Sequence, residues 1–232
     1  MEKSNLAAIE TLKRMSAVRA ELLNECPFFG RLLLHLILAA TDCGTACTDM
    51  VYLAMDPDFA ASLSDEEIKF VMLHEVMHCV LKHCVRGKTL DNFMYNVACD
   101  IVVNSLILES MGVETFTLDG EEPMHTAPNG QEGRLFTAEE VYRMLFDKAA
   151  KEQKSGGNSV GGSSAENSGG GSGGQSANTF SGCCGRVDSH EIWAEISEKA
   201  AAALGDKWEA KIKNASKACG SDSGIPLGIR RY

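Results

Sequence analysis

The sequence predicts an α+β domain that is mainly helical, with a small β-sheet beside its most clearly marked helix. Three observations predict it. Apolar residues recur at helical spacing over most of the chain. Two capping boxes, Ser64 to Glu67 and Thr137 to Glu140, mark helix starts. Strand chemistry, rich in Thr, Val and Tyr, is confined to short runs. At 232 residues the chain can bury one sizeable core with a smaller appendage.

The elements follow in order. Leu6, Ile9, Leu12, Met15, Val18 and Leu22 define an amphipathic helix over 5–25. Pro27 suits the first turn of a second helix, expected to reach Ala40. After a break at Thr41 to Gly44, the run Thr45 to Met55 reads as one short strand. Ser64-Asp65-Glu66-Glu67 then opens a helix expected to run to about Arg86, where Gly87 ends it. A further helix spans Asp91 to Gly112, followed by a second short strand over Val113 to Leu118 and a loop over Glu121 to Gly133. The second capping box opens a helix to about Lys151.

The domain organisation expected is a core over 1–153, a flexible Gly/Ser-rich insertion over 154–186, and a C-terminal part over 187–232 packing on the core. The insertion has too little apolar surface to offset its ordering entropy. In the C-terminal part, Asp188-Ser189-His190-Glu191 can cap a last helix reaching Ala218.

Charge and hydropathy exclude several functions. The net charge of −10, with no basic cluster, argues against nucleic acid or an anionic membrane as partner. The longest apolar stretch, Leu32 to Ala40, falls far short of the ~20 residues of a spanning helix. The N-terminus has no signal-peptide core, so a cytoplasmic location is expected. The nine cysteines contain no C-x-x-C and read as reduced thiols, which leaves a thiol-based metal or redox site without a spacing to support it.

His74-Glu75-Val76-Met77-His78 matches H-E-x-x-H inside an independently predicted helix. Positions four apart differ by ~40° around a helix, so both imidazoles can address one ion. Glu75 then stands beside the ion as general base rather than ligand, taking a proton from a water that zinc has acidified. A catalytic zinc also needs a third ligand. His83 is nearest in sequence, but on a continuous helix it points ~180° from His74 and ~140° from His78. Asn96, Asp100 and Asn104 instead form a polar stripe at intervals of four on an otherwise apolar helix. Asp100 there is the expected third ligand, the ion offsetting a carboxylate that burial would otherwise penalise. His190 is a second catalytic candidate, able to stabilise an oxyanion or supply another ligand. His35 and His125 have no such support.

Together with Cys26 to Gly30, Thr45 to Asp49, His83, Arg86 and Asn96 to Asn104, this motif resembles a bacterial metallopeptidase domain family that commonly precedes a von Willebrand A-like domain. The resemblance spans roughly residues 20–112 and continues more loosely over Asp188 to Trp193 and Gly224 to Arg231. It implies a zincin-like fold, with His74, His78 and Asp100 around Zn2+ and Glu75 as catalyst. It also implies either a von Willebrand A-like domain beyond Tyr232 or a family member without that domain, and no metal-adhesion motif of such a domain is visible within the chain. The expectation is thus zinc-dependent hydrolysis of a peptide or related amide, with Thr45 to Met55 as an edge strand for an extended substrate. The rival reading is a metal-stabilised interaction module without turnover. Two histidines and a carboxylate also suit non-haem iron, although the Glu of H-E-x-x-H favours zinc.

Overall fold

One long helix opens the chain, α1 (Glu2–Glu25), and its buried stripe is Thr11, Met15, Val18 and Leu22. Spacings of four, three and four place these on one face. Leu6 and Ile9, expected on that stripe, are exposed. The computed structural model describes residues 2–87, 89–155, 193, 197–220 and 229. The expected 154–186 insertion, beyond the last turn of α6 defined below, and His190 lie outside the described residues.

Helix α2 (Pro27–Leu33) begins at Pro27 as expected but stops seven residues short of Ala40. Residues 37–40 form strand β1 (Ile37–Ala40) instead. A short apolar run fits helix or strand equally in isolation, and here a parallel partner decides. That partner is β3 (Tyr52–Met55), paired from Ile37 opposite Tyr52 to Ala40 opposite Met55. Gly30 sits where α2 crosses α1, and a Cβ there would meet the Leu23 Cα at 2.5 Å.

The single strand expected over Thr45 to Met55 is a hairpin of β2 (Ala46–Thr48) and β3. Its turn is built from side chains. The Asp49 carboxylate accepts the Val51 and Tyr52 N–H groups, and the Thr48 hydroxyl donates to the Tyr52 carbonyl. Met50 takes a left-handed φ of 71° between them. The sheet order is β1-β3-β2, parallel on one side and antiparallel on the other. A short helix the sequence reading lacked, α3 (Pro57–Ser62), follows under an Asp56 cap.

Helix α4 (Asp65–Val80) has the capping box its sequence announces, with Ser64 and Glu67 each bonded to the other's backbone. Every residue from Ile68 to Val80 is buried, so α4 is the central helix of the core. Even Lys69 is enclosed, its ammonium held by Glu21, Glu25 and Glu66. The helix does not reach Arg86. It ends at Val80, Lys82 turns left-handed at φ 57°, and His83–Val85 form a single 3-10 turn. No glycine or proline marks that break, which is why periodicity carries the helix past it.

Helix α5 (Asn92–Met111) runs from an Asp91 cap to a left-handed Gly112, as expected. Val113 to Leu118 is not a strand: Leu118 and Glu121 form one isolated bridge about the Asp119-Gly120 turn. Phe116 and Leu118 pack on the core instead, Phe116 stacking on Phe70 at 4.6 Å, while Val113 is exposed. The next loop returns to α5 at Gly133, where a Cβ would lie 2.4 Å from the Ile101 carbonyl oxygen. Helix α6 (Ala138–Ser155) opens at its capping box and buries Val141 and Leu145.

Helix α7 (Glu198–Ala218) starts under Ser197, later than the Asp188 start expected. It buries Trp208, whose indole N–H donates to the Met50 carbonyl. The architecture is therefore mainly helical with a three-stranded mixed sheet, an α+β fold. Among the described residues no helix is long and apolar enough to cross a membrane.

Candidate metal centre

The site lies where α4 and α5 cross in the core. His74 and His78, one turn apart on α4, turn their Nε2 atoms toward each other at 2.8 Å. From α5, Asp100 places Oδ1 3.5 Å from the first and 3.4 Å from the second. Both histidines are fully buried, and Asp100 is 5% exposed. Among the described residues these three form the one group of His, Cys, Asp and Glu side chains whose ligand atoms cluster within 4.8 Å.

That donor set fits a divalent ion. Ligands about 2.0–2.1 Å from a tetrahedral zinc stand about 3.3 Å apart. The two carboxylate–imidazole separations already match this, and the imidazole pair needs to open by roughly half an ångström. Two nitrogens and one carboxylate oxygen also leave a coordination position for water, the donor number of catalytic rather than closed structural sites.

The outer partners aim the ligands. His74 Nδ1 lies 2.9 Å from Asn104 Oδ1, one turn beyond Asp100 on α5. The Asn104 amide nitrogen donates to the Met124 carbonyl, which orients the amide and turns its oxygen to His74. His74 Nδ1 therefore carries the proton, and Nε2 presents a lone pair to the site. His78 Nδ1 meets His83 Nδ1 at 3.1 Å.

The sequence reading placed Asn104 in the polar stripe but gave it no partner, and it set His83 aside because the helix was expected to continue. The break at Lys82 brings His83 Nδ1 within reach of His78 Nδ1. Asn96, the third member of the stripe, is half-buried at its outer end.

Glu75, next to His74, is fully buried. On the helix it stands about 100° from His74 and about 60° from His78. Trp193 forms a wall: its ring lies 5.1 Å from the His78 ring, and its indole N–H donates to the Thr48 carbonyl at 2.8 Å. Strand β2 is indeed an edge strand, but it is buried and this carbonyl is occupied.

Cysteine chemistry is turned away from the site. Burial, with the neighbouring Asp100 charge, pushes the Cys99 thiol well up, so it resists becoming the thiolate that binds metals. Among the described residues no disulfide joins two cysteines.

No curated protein and no solved structure matches the chain. One family model does, that described as "Putative metallopeptidase domain", and its match runs over residues 10–226, taking in α4, α5 and all three clustered side chains; the chain belongs to that family.

Proposed function

We propose that the chain is a zinc-dependent metallopeptidase-type hydrolase in which His74, His78 and Asp100 hold the ion and Glu75 is the general base. The observation that carries the reading is the convergence of His74 Nε2, His78 Nε2 and Asp100 Oδ1 from two helices inside the core. A family of metallopeptidase type supports a peptide or protein as substrate.

The chain's own residues supply the following steps. His74 and His78 present lone pairs, each fixed through its other ring nitrogen. Asp100 brings a negative charge that offsets that of a dication and anchors α5 to α4. A zinc ion bound there acts as a Lewis acid, acidifying water and polarising a carbonyl. Glu75 accepts the proton of the attacking water and returns it to the leaving amine. His190, three residues before Trp193 in the sequence, is assigned to oxyanion stabilisation.

Metal content by elemental mass spectrometry tests the ligand set. About one zinc per chain is expected in the wild type. Asp100→Ala should weaken it by more than the roughly 10–100-fold that loss of an outer partner costs. Zinc binding unaffected by that substitution would remove Asp100 from the site.

Complete burial of His74, Glu75 and His78 favours a second reading, a metal-stabilised interaction module without turnover. Glu75→Gln separates the two. Metal retained with peptide hydrolysis abolished marks the enzyme. Metal retained with neither protein hydrolysing a broad peptide library marks the module.

A further inference from the structure

We infer that His83 is the positioning residue for His78, accepting its Nδ1 proton and thereby holding its Nε2 as a lone pair toward the metal. The inference rests on the metal-site reading above. It begins from two buried imidazoles whose Nδ1 atoms lie 3.1 Å apart, a separation that places one proton between them. A neutral imidazole carries that proton on one nitrogen only. His78 Nε2 is the atom facing His74 Nε2 and Asp100 Oδ1. Ligation through Nε2 puts the His78 proton on Nδ1, so His83 Nδ1 is the acceptor.

The two ligands are therefore served differently. His74 leans on an amide oxygen of the facing helix, whereas His78 leans on an imidazole supplied by its own chain segment. On an uninterrupted helix His83 would stand about 140° from His78. The left-handed Lys82 reverses that, and the turn is locked from outside. Arg86 donates to the Leu81 carbonyl and is paired with Glu139 of α6. A non-glycine residue in a left-handed conformation at the end of the ligand helix is the kind of backbone cost that persists where surrounding contacts hold it.

The test uses the full-length protein loaded with zinc. His83→Leu removes the acceptor at similar volume, while His83→Asn retains an oxygen close to the Nδ1 position. Competition with a chelator should show zinc held about 10–100-fold less tightly by His83→Leu, with most of the loss recovered in His83→Asn. Thermal unfolding of the metal-free proteins should not track that order. Nitrogen-15 spectra of the zinc-loaded wild type should show His78 Nδ1 protonated and His83 Nδ1 as a bare acceptor, a result that needs no variant to fold. Equal zinc affinity in wild type and His83→Leu, or a proton on His83 Nδ1, overturns the inference while leaving the ligand set standing. A wild type that binds no zinc overturns both.

Discussion

Asn104 joins two parts of the site through one amide, and two substitutions there separate its functions. Its oxygen fixes His74 Nδ1 in the core and its nitrogen holds the half-buried Met124 carbonyl, both at 2.9 Å. In Asn104→Leu both bonds are lost while the branched shape of the side chain is kept. Leaving the fully buried His74 N–H without its acceptor costs about 1–3 kcal/mol, and loss of the half-buried Met124 contact adds less. That is a substantial fraction of the roughly 5–15 kcal/mol that holds an ordinary domain folded. Asn104→Asp behaves differently. A carboxylate still accepts from His74 but turns an oxygen toward the Met124 carbonyl where a donor stood. Stability should fall as in Asn104→Leu, whereas zinc affinity should be kept. Denaturant unfolding of the metal-free proteins and chelator competition of the loaded ones measure the two quantities separately. If Asn104→Asp and Asn104→Leu weaken zinc equally, the amide does not orient His74 and the outer-partner argument fails.

Two further outcomes follow from packing and charge. Gly30→Ala drives a Cβ into backbone atoms of Leu22 and Leu23 as close as 2.5 Å, and α1 must shift to admit it. Destabilisation of about 1–3 kcal/mol is expected in urea unfolding, and an unchanged midpoint would contradict the close helix crossing. At Asp56, burial raises the carboxyl but the N–H groups of Gly44, Asp58, Phe59 and Cys43 outweigh it, leaving the group below its ordinary value. Its contribution to stability is thus complete above an unfolded value near about 3.9 and is lost as pH falls through the lower folded value. Asp56→Asn should lower stability at pH 7 and flatten its acid dependence below about pH 4, which unfolding at a series of pH values will show.

Much of this was legible because local signals and global packing agree. The α4 start is written in Ser64 and Glu67, the α5 limits in Asp91 and Gly112, and the ligand geometry in the spacing of His74 and His78. Asp100 could be picked out because a carboxylate on an apolar helix face needs a compensating charge. What stayed hidden depends on partners distant in sequence. Ile37 to Ala40 is a strand only because Tyr52 to Met55 lies beside it. The turn at Asp49 depends on a carboxylate capping two amides rather than on glycine. The break at Lys82 has no residue that announces it, and with it the His83–His78 contact was invisible. Val113 to Leu118 had strand composition without a neighbouring strand to pair with.

The depth of the site bears directly on what it can do. With His74, Glu75 and His78 at 0% exposure, water cannot touch them in this conformation. Exclusion of solvent strengthens the charge interactions that hold a dication, because no water competes for the ligands. It favours metal retention without any motion. Hydrolysis is more demanding, since the substrate carbonyl and the attacking water must come within about 3 Å of the base. Each turnover then requires the site to open, and turnover cannot exceed the rate of that opening. Ordinary enzymes turn over at about 1–1,000 s⁻¹. A peptidase built on this fold must therefore expose Glu75 within a second or less, whereas a structural module has no such requirement. The helices cannot readily provide that motion, because α4 is buried along most of its length and pinned through Lys69 to α1. Trp193 covers His78 from one side, its ring 5.1 Å from the imidazole and its indole N–H donating to the Thr48 carbonyl.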